Sequence, residues 1–191
     1  CAEVFVNVAA EHPIDDADFV ALRQRHERSV IRVVGRGDRR AGRIPADEIP
    51  RHRNAECGGP GVGAIGMCFT GNFALSMMLE KAVLAPVLSQ PSLPVHRKGG
   101  MHIAPDELAT VKQRLEAEDL TVLAYRFEGD VLCRKERFDE YERALGKRFV
   151  ARVLPDSAAD PNAKMRNPHS VVTAHLIDQE GQAHARGGER D

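Results

Sequence analysis

The sequence lacks a long apolar run and an excess of charge of either sign. No apolar run approaches the roughly 20 residues that a membrane-spanning helix needs, and no basic stretch leads into an apolar one at the N-terminus. The 27 basic and 28 acidic side chains of the 191-residue chain leave a formal net charge of −1. We therefore predict a cytoplasmic protein with neither a membrane anchor nor a signal peptide.

Closely spaced cysteines and other metal-ligand patterns are missing as well. The cysteines stand far apart without a Cys-x-x-Cys pair, which argues against a disulfide framework and against a zinc site. The histidines outside the candidate site described below show no paired spacing with acids or cysteines. We therefore predict no metal and no cofactor. Cys57 and Cys133 are interpreted as unreactive core residues, because cysteine is often buried.

Apolar residues are concentrated in the middle of the chain. Residues 62–90 contain 18 apolar residues out of 29, whereas residues 21–60 contain 12 out of 40. The poorer stretch includes ten arginines against four acids between residues 21 and 53. The end of the chain is polar and lacks the apolar periodicity needed for docking, so we expect it to be frayed. The predicted organisation is an Arg-rich segment at 1–55, a folded domain at 56–178 and a polar tail at 179–191.

Short β-branched runs alternate with longer amphipathic runs, a pattern typical of strands joined by helices in a mostly parallel sheet. The predicted strands are 62–65, 82–88, 121–127 and 148–154. The predicted helices are 71–80, 105–118 and 134–145, the last ended by Gly146. Residues 1–34 add a strand at 4–8, a helix at 16–28 and a strand at 29–34, and residues 35–60 are predicted as loop. The predicted fold class is therefore α/β.

The most informative motif is GMCFTG at residues 66–71, which joins a predicted buried strand to a predicted helix. A sharp turn there projects the Cys68 sulfur above the sheet edge, and the N-terminus of the following helix favours the thiolate over the thiol. The backbone N–H of Phe69 would face the oxyanion that forms when a carbonyl is attacked. Crowding explains the two glycines, although Thr70 stands where glycine is usual. The motif predicts a nucleophilic cysteine.

A nucleophilic thiol needs a base, and the base needs an acid that orients it. Asp130 follows the predicted strand 121–127, so we expect its carboxylate at the carboxyl end of the sheet, the same edge as Cys68. His169 lies in a loop after the last predicted strand. Two alternatives stay open. Asp130 follows a glycine, so it is also compatible with a simple turn residue. His175 competes with His169 for the role of the base, although we interpret His175 as a surface or packing histidine.

Four segments together resemble the dienelactone hydrolase family of α/β-hydrolases. They are GMCFTG, FALSMMLEKAVLAPVLSQPSLP, RFEGD and NPHSVVTAHLID, and the resemblance covers roughly residues 56–178. It implies a partial α/β-hydrolase fold and a catalytic triad of Cys68, Asp130 and His169. Cys68 would attack, His169 would relay the proton and Asp130 would fix the tautomer. The implied activity is hydrolysis of small esters or lactones through an acyl-thioester intermediate.

A competing hypothesis is a truncated or non-catalytic remnant of the same fold. Members of the family carry several strands and an oxyanion-loop donor before the elbow, and no segment before Cys68 is assigned to them here. The chain also starts with Cys1 rather than Met. On this hypothesis the N-terminal strands are missing or unrecognised.

Two further patterns would point to a nucleotide or a nucleic acid as a partner, but both are weak. Residues 61–66 match the dinucleotide fingerprint Gly-x-Gly-x-x-Gly, but these glycines interrupt the predicted strand itself instead of following a strand and opening a helix. The Arg-rich stretch 21–53 could neutralise nucleic-acid phosphates, yet it has no recognised reading motif and no aromatic residue. We therefore predict a small-molecule ester or lactone as the partner, and neither a nucleotide, a nucleic acid nor a membrane.

Overall fold

The computed structural model of the chain describes residues 4–8, 50–51, 54–55 and 59–177. The strands are β1 (Val4–Val8), β2 (Gly61–Met67), β3 (Val83–Ser89), β4 (Val122–Phe127) and β5 (Phe149–Leu154). The helices are α1 (Phe73–Ser76), α2 (Pro105–Ala117) and α3 (Lys135–Leu145). The helix predicted at 16–28, the strand predicted at 29–34 and the tail predicted at 179–191 lie outside the described residues. Within the described ranges, no helix has the length and apolar character that a membrane crossing requires.

The five strands form one sheet in sequence order, from β1 to β5. Strands β2 to β5 are parallel, whereas β1 runs antiparallel beside β2. Parallel neighbours need a crossover connection, and α2 and α3 lie in the crossovers from β3 to β4 and from β4 to β5. The α/β class, the mostly parallel sheet with flanking helices and the strand at 4–8 are thus confirmed.

One predicted helix is wrong. The segment predicted as a helix at 71–80 contains only the four-residue helix α1, between 3-10 turns at Cys68–Thr70 and Met77–Leu79. The N–H of Gly71 binds the carbonyl oxygen of Cys68 (3.1 Å), and the N–H of Glu80 binds that of Met77 (3.0 Å). These three-residue hydrogen bonds tighten the chain at both ends, because it must leave β2 sharply and return at once into β3. The other strands and helices predicted between residues 62 and 154 have ends within two residues of those observed.

The loop predicted at 35–60 is wrong at residues 50–51 and 54–55, which are helical. Arg51 Nη2 donates a hydrogen bond to Glu80 Oε2 (2.6 Å). This bond joins the helical residues to the turn before β3, a contact between distant parts of the chain that a local sequence pattern does not reveal.

Buried apolar side chains cover both faces of the sheet. On one face, residues of α1, α2 and α3 pack against the strands in one large cluster. On the other face, Tyr125 and Phe127 of β4 pack against Ala159 and Val171. Strand β4 contributes to both clusters because successive residues of a strand point to opposite faces. The second cluster holds the segment after β5 against the sheet, and this segment carries His169.

Candidate active site

Cys68 directly follows the carboxyl end of β2, in the turn before α1. Its backbone φ is +55°, a left-handed conformation that residues other than glycine rarely adopt. Two hydrogen bonds hold its carbonyl oxygen, one from the N–H of Gly71 (3.1 Å) and one from the N–H of Ser92 (2.9 Å). Backbone strain of this kind costs about 1–3 kcal/mol and persists only where surrounding contacts impose it. It is the conformation expected of a nucleophile elbow.

The two glycines of the turn have no room for a side chain. A Cβ at Gly66 would lie 2.1 Å from the backbone oxygen of Thr70, and a Cβ at Gly71 would lie 2.5 Å from the Cα of Pro91. Backbone atoms in a packed interior cannot move aside cheaply. The sequence-based explanation of both glycines as crowded positions is confirmed.

Thr70 occupies the position where glycine is usual, and its side chain closes the turn. Its Oγ1 accepts a hydrogen bond from the N–H of Met67 (3.0 Å) and donates one to the carbonyl oxygen of Met67 (2.9 Å). A glycine could make neither bond. The departure from the usual motif therefore supplies two contacts that hold the turn around Cys68.

Asp130 and His169 meet in a buried pair. The distance between His169 Nδ1 and Asp130 Oδ2 is 2.7 Å, and both side chains are buried. The other carboxylate oxygen accepts hydrogen bonds from the N–H groups of Leu132 and Cys133, each at 2.9 Å. Asp130 thus stabilises a turn with one oxygen and binds the imidazole with the other. The turn position predicted for Asp130 is confirmed, and its contact with His169 is compatible with the predicted role as the acid that orients a base.

The second ring nitrogen of His169 is the one available to the thiol. Nε2 is buried and has no hydrogen-bond partner among the described residues. Besides Asp130, the side chain that interacts with this ring is Cys68. Burial by itself would lower the pKa of the imidazole, but the hydrogen bond with Asp130 and the contact with Cys68 outweigh it and raise the pKa to about 9. The imidazole is therefore held in its charged form at neutral pH.

The pKa of the Cys68 thiol is shifted in the opposite direction, below its ordinary value. Burial is the largest single influence on its pKa and opposes ionisation. The side chains of His169 and Ser92, the charge of His169 and the N–H of Phe69 act in the other direction, and together they lower the pKa below its ordinary value. A lowered thiol pKa beside a raised imidazole pKa favours transfer of the proton from the sulfur to the imidazole. The structure brings Cys68, His169 and Asp130 together, with the Phe69 N–H beside the sulfur.

Ser92 is a site residue that the sequence analysis missed. It interacts with the Cys68 thiol, its N–H binds the Cys68 carbonyl oxygen, and its Oγ donates to the carbonyl oxygen of Gln90 (3.0 Å). Its position just after β3 was the available signal, because the carboxyl ends of parallel strands meet at one edge of the sheet. Ser92 therefore supports the strained backbone of the cysteine through its N–H, while its side chain lies near the thiol.

His175 is buried, so its interpretation as a packing residue is confirmed and the surface alternative is wrong. Its Nδ1 accepts hydrogen bonds from the backbone N–H groups of His169 (3.3 Å) and Ser170 (3.1 Å). Its Nε2 lies 3.0 Å from the carbonyl oxygen of Met165. Since Asp130 binds His169, the geometry favours His169 over His175 as the base.

A cleft of about 160 Å³ opens beside Cys68. Exposed apolar side chains and basic side chains line it, and none of its described lining residues is acidic. The apolar members are Phe69, Val95, Val131 and Leu132, and the basic members are His96, Arg97, Lys98 and Arg134. Pockets for drug-sized ligands have volumes of roughly 300–1,000 Å³, so this cleft suits a smaller molecule.

Other candidate features of the sequence form no site in the part of the chain that the structure describes. Cys133 is buried, and burial, followed by the charge of Asp130, raises the pKa of its thiol, which confirms it as a core residue. Residues 61–66 lie within β2, so the fingerprint glycines open no helix. Over the same ranges, no three His, Cys, Asp or Glu side chains are grouped to hold a metal ion. Cys57 and the Arg-rich stretch, apart from Arg51, lie outside the described residues.

Comparisons with models of protein families, with curated proteins and with solved structures find no match to this chain. A fold alone does not specify a function, so the geometry and chemistry of the site are the basis for assigning a function to this chain.

Proposed function

We propose that the chain is a hydrolase of the dienelactone hydrolase type, with a partial α/β-hydrolase fold, that cleaves small esters or lactones through Cys68, Asp130 and His169. One observation carries the proposal. The Asp130 carboxylate binds the His169 ring, and this ring and the Cys68 thiol shift each other's pKa beside an open cleft. A histidine–carboxylate pair with only a structural role would not require a strained cysteine turn with a lowered thiol pKa next to it.

In the acylation step, the Cys68 thiolate forms a bond to the carbonyl carbon of the ester, and the carbonyl π electrons move to the oxygen. The N–H of Phe69 donates a hydrogen bond to this oxyanion. The intermediate then restores the carbonyl and expels the alkoxide, which takes the proton from Nε2 of His169. The result is an acyl-thioester on Cys68 and an alcohol, which stays attached to the acyl group when the substrate is a lactone.

In the deacylation step, the now neutral Nε2 of His169 removes a proton from water while the water oxygen attacks the thioester carbonyl. Collapse of the second intermediate releases the carboxylic acid and returns the Cys68 thiolate and the His169 imidazolium. Asp130 accepts the Nδ1–H throughout, which keeps the tautomer in place and stabilises the charged ring. Each cycle consumes one water and one ester bond.

The cleft supports the proposed substrate class. Its small volume favours a small ester or lactone, and its apolar side chains can bury a short acyl group. Its four basic side chains favour a substrate that also carries a carboxylate. The cytoplasmic location and the absence of a nucleic-acid partner stay predictions of the sequence.

The test is hydrolysis of p-nitrophenyl acetate, an activated small ester, by three proteins. We expect Cys68→Ala to lower kcat/KM at least about 100-fold, because it removes the atom that forms the covalent bond. Cys133→Ala is the matched control, since it removes a thiol that lies in the core, and it should retain the wild-type rate. Intact-mass spectrometry of rapidly acid-quenched wild type should also detect the acyl adduct.

Equal rates of hydrolysis by the wild type and Cys68→Ala would reject this proposal and favour the competing hypothesis of a non-catalytic remnant. Far-ultraviolet circular dichroism of both proteins makes the comparison valid, because it shows whether the substitution has altered the fold.

A further inference from the structure

We propose that His175 is a positioning residue for His169: it holds the backbone of the loop that carries His169, so that the His169 ring reaches both Asp130 and Cys68. The inference rests on the proposed function, because that proposal gives His169 the role of the base. Asp130 restrains only the ring of His169, at Nδ1. A restraint on the ring alone leaves the backbone able to shift, and His175 supplies the restraint on the backbone.

The hydrogen bonds of His175 determine its tautomer. The backbone N–H groups of His169 and Ser170 converge on its Nδ1 at 3.3 Å and 3.1 Å. Two donors directed at one ring nitrogen require that this nitrogen carries no proton. The proton of the neutral ring then lies on Nε2, which donates to the carbonyl oxygen of Met165 (3.0 Å). Both ring nitrogens therefore bind the segment that contains His169.

His175 is itself held in place from several sides. Its side chain packs edge-on against Phe127 of β4, with ring centroids 5.9 Å apart, and the residue is 2% exposed. Its backbone N–H donates to the carbonyl oxygen of Ser170 (3.0 Å), and its carbonyl oxygen accepts from the N–H of Asp160 (3.0 Å). These contacts connect the ring to the sheet, so its position is set by the core and not by the loop alone.

The segment needs such a restraint because it has no regular secondary structure. No helix or strand occurs between residues 159 and 177, so no ladder of backbone hydrogen bonds orders it. Side-chain acceptors replace the ladder: Gln90 Oε1 accepts from the N–H of Val171 (3.3 Å), and His175 accepts from His169 and Ser170. A shift of about 1 Å in a catalytic group can reduce the rate about 100-fold. His175 does not line the cleft, so its loss should act on kcat and leave KM nearly unchanged.

Two substitutions separate the two ends of the ring. His175→Asn keeps an acceptor oxygen near the Nδ1 position and loses the donor at Nε2, whereas His175→Gln keeps a donor near Nε2 and loses the acceptor at Nδ1. We expect His175→Gln to lower kcat by about 10- to 100-fold with KM changed by less than about 2-fold. His175→Asn should retain kcat to within about 5-fold.

A second measurement needs no substrate. The rate at which iodoacetamide alkylates Cys68, followed by mass spectrometry of the peptide that contains it, gives the pH at which the thiolate forms. The midpoint for His175→Asn should match the wild type. The midpoint for His175→Gln should shift to higher pH, because a displaced His169 no longer stabilises the thiolate. A role in folding alone would lower Tm in both variants without separating their alkylation midpoints.

The proposal is overturned if His175→Asn and His175→Gln give the same kcat and the same alkylation midpoint. If a variant does not fold, the 15N chemical shifts of His175 in the wild-type protein report the tautomer directly, and a proton on Nδ1 would also overturn it. Failure of the wild type to hydrolyse any ester would reject the proposed function instead. The alkylation midpoints would still decide whether His175 positions His169 beside Cys68.

Discussion

Cys68 and His169 each determine the protonation state of the other. An isolated imidazole is mostly neutral at pH 7 and an isolated thiol mostly protonated. Here the pKa of His169 is raised to about 9, and the pKa of Cys68 is lowered although burial opposes its ionisation. The Asp130 carboxylate behind the imidazole is the group that makes the charged ring favourable. Both shifts favour a proton on the imidazole over a proton on the sulfur.

Asp130→Asn should uncouple this pair. The amide keeps the shape of the carboxylate but carries no charge, so the pKa of His169 should fall from about 9 and the pKa of Cys68 should rise. In the wild type, the rate of Cys68 alkylation should increase with pH, with a midpoint below the ordinary pKa of a thiol. The charged imidazole that favours the thiolate is lost only as the pH rises through about 9. In Asp130→Asn the alkylation midpoint should lie at higher pH. Iodoacetamide kinetics from about pH 5 to about pH 10 measure this midpoint.

The control for that experiment is Asp139→Asn, which changes an exposed carboxylate that binds Lys135 on α3. Its alkylation profile should coincide with that of the wild type. We also expect kcat for ester hydrolysis to fall at least about 100-fold in Asp130→Asn, since the tautomer and the charge of the base are no longer held. Coinciding profiles for Asp130→Asn and the wild type would contradict the coupling.

Gly66 and Gly146 offer a test of the crowding at the elbow. A Cβ at Gly66 would meet a backbone oxygen at 2.1 Å, so Gly66→Ala should lower the free energy of unfolding by more than about 3 kcal/mol. Gly146 has a φ of +56° but no atom within 4 Å of its hypothetical Cβ. Gly146→Ala should therefore cost only the strain of a backbone conformation with positive φ, about 1–3 kcal/mol. Urea unfolding measures the free energy of unfolding of both variants, and equal losses of stability would argue against the clash at Gly66.

Helix α3 and the segment after β3 are joined by one buried side chain. The Arg137 guanidinium donates hydrogen bonds to four backbone carbonyl oxygens of that segment, those of Leu93, Pro94, Arg97 and Gly100. The same segment supplies Val95, Arg97 and other lining residues of the cleft. A side chain outside the proposed triad therefore shapes one wall of the candidate binding site.

Arg137→Met should loosen this wall. The substitution keeps an apolar stem of similar length but leaves buried carbonyl oxygens unpaired, which should lower the free energy of unfolding by about 2–4 kcal/mol. KM should rise more than kcat falls, because the cleft wall moves while the triad keeps its own contacts. Arg143→Met on the same helix is the control, since Arg143 is exposed and pairs with Glu140 at 3.3 Å, and it should cost no more than about 1 kcal/mol. Urea unfolding and ester kinetics measure both effects, and similar losses in the two variants would contradict the role of Arg137.

Local signals predicted α2 and α3 well and α1 poorly. Pro105 marks the start of α2, and Gly146, which has a positive φ, marks the end of α3. Both signals are single residues at the helix ends, so the sequence shows them directly. Near α1, the Asn72 side chain binds partners far along the chain: its Nδ2 donates to the carbonyl oxygen of Leu93 (3.1 Å), and its Oδ1 accepts from the N–H of His102 (3.1 Å). The helical spacing of apolar residues after Gly71 was real, but distant contacts and the return into β3 limit the helix to one turn.

Over the whole molecule, charge is nearly balanced, with a formal net value of −1, whereas the cleft is lined by basic side chains without an acidic one among the described residues. A small ester that carries a carboxylate should thus be hydrolysed with a higher kcat/KM than a neutral ester of the same leaving group. The difference should shrink several-fold between low salt and about 1 M salt, where the screening length falls to about 3 Å. The two substrates to compare are p-nitrophenyl hemisuccinate, which carries a carboxylate, and p-nitrophenyl acetate, which is neutral. The kcat/KM for the neutral ester should depend little on salt. Equal values at low salt would exclude selection by charge.

The sequence by itself determined the α/β class, the cysteine turn and the chain order of Cys68, Asp130 and His169. These features depend on side-chain periodicity, turn residues and the rule that parallel strands end at one edge, all of which are readable within short segments. The tertiary structure alone decided that His169 and not His175 pairs with Asp130, that Ser92 holds the backbone of Cys68, and that Arg137 holds the cleft wall. The reason is physical: each of these assignments depends on contacts between residues far apart in the chain, and only the packed core brings them within hydrogen-bond distance.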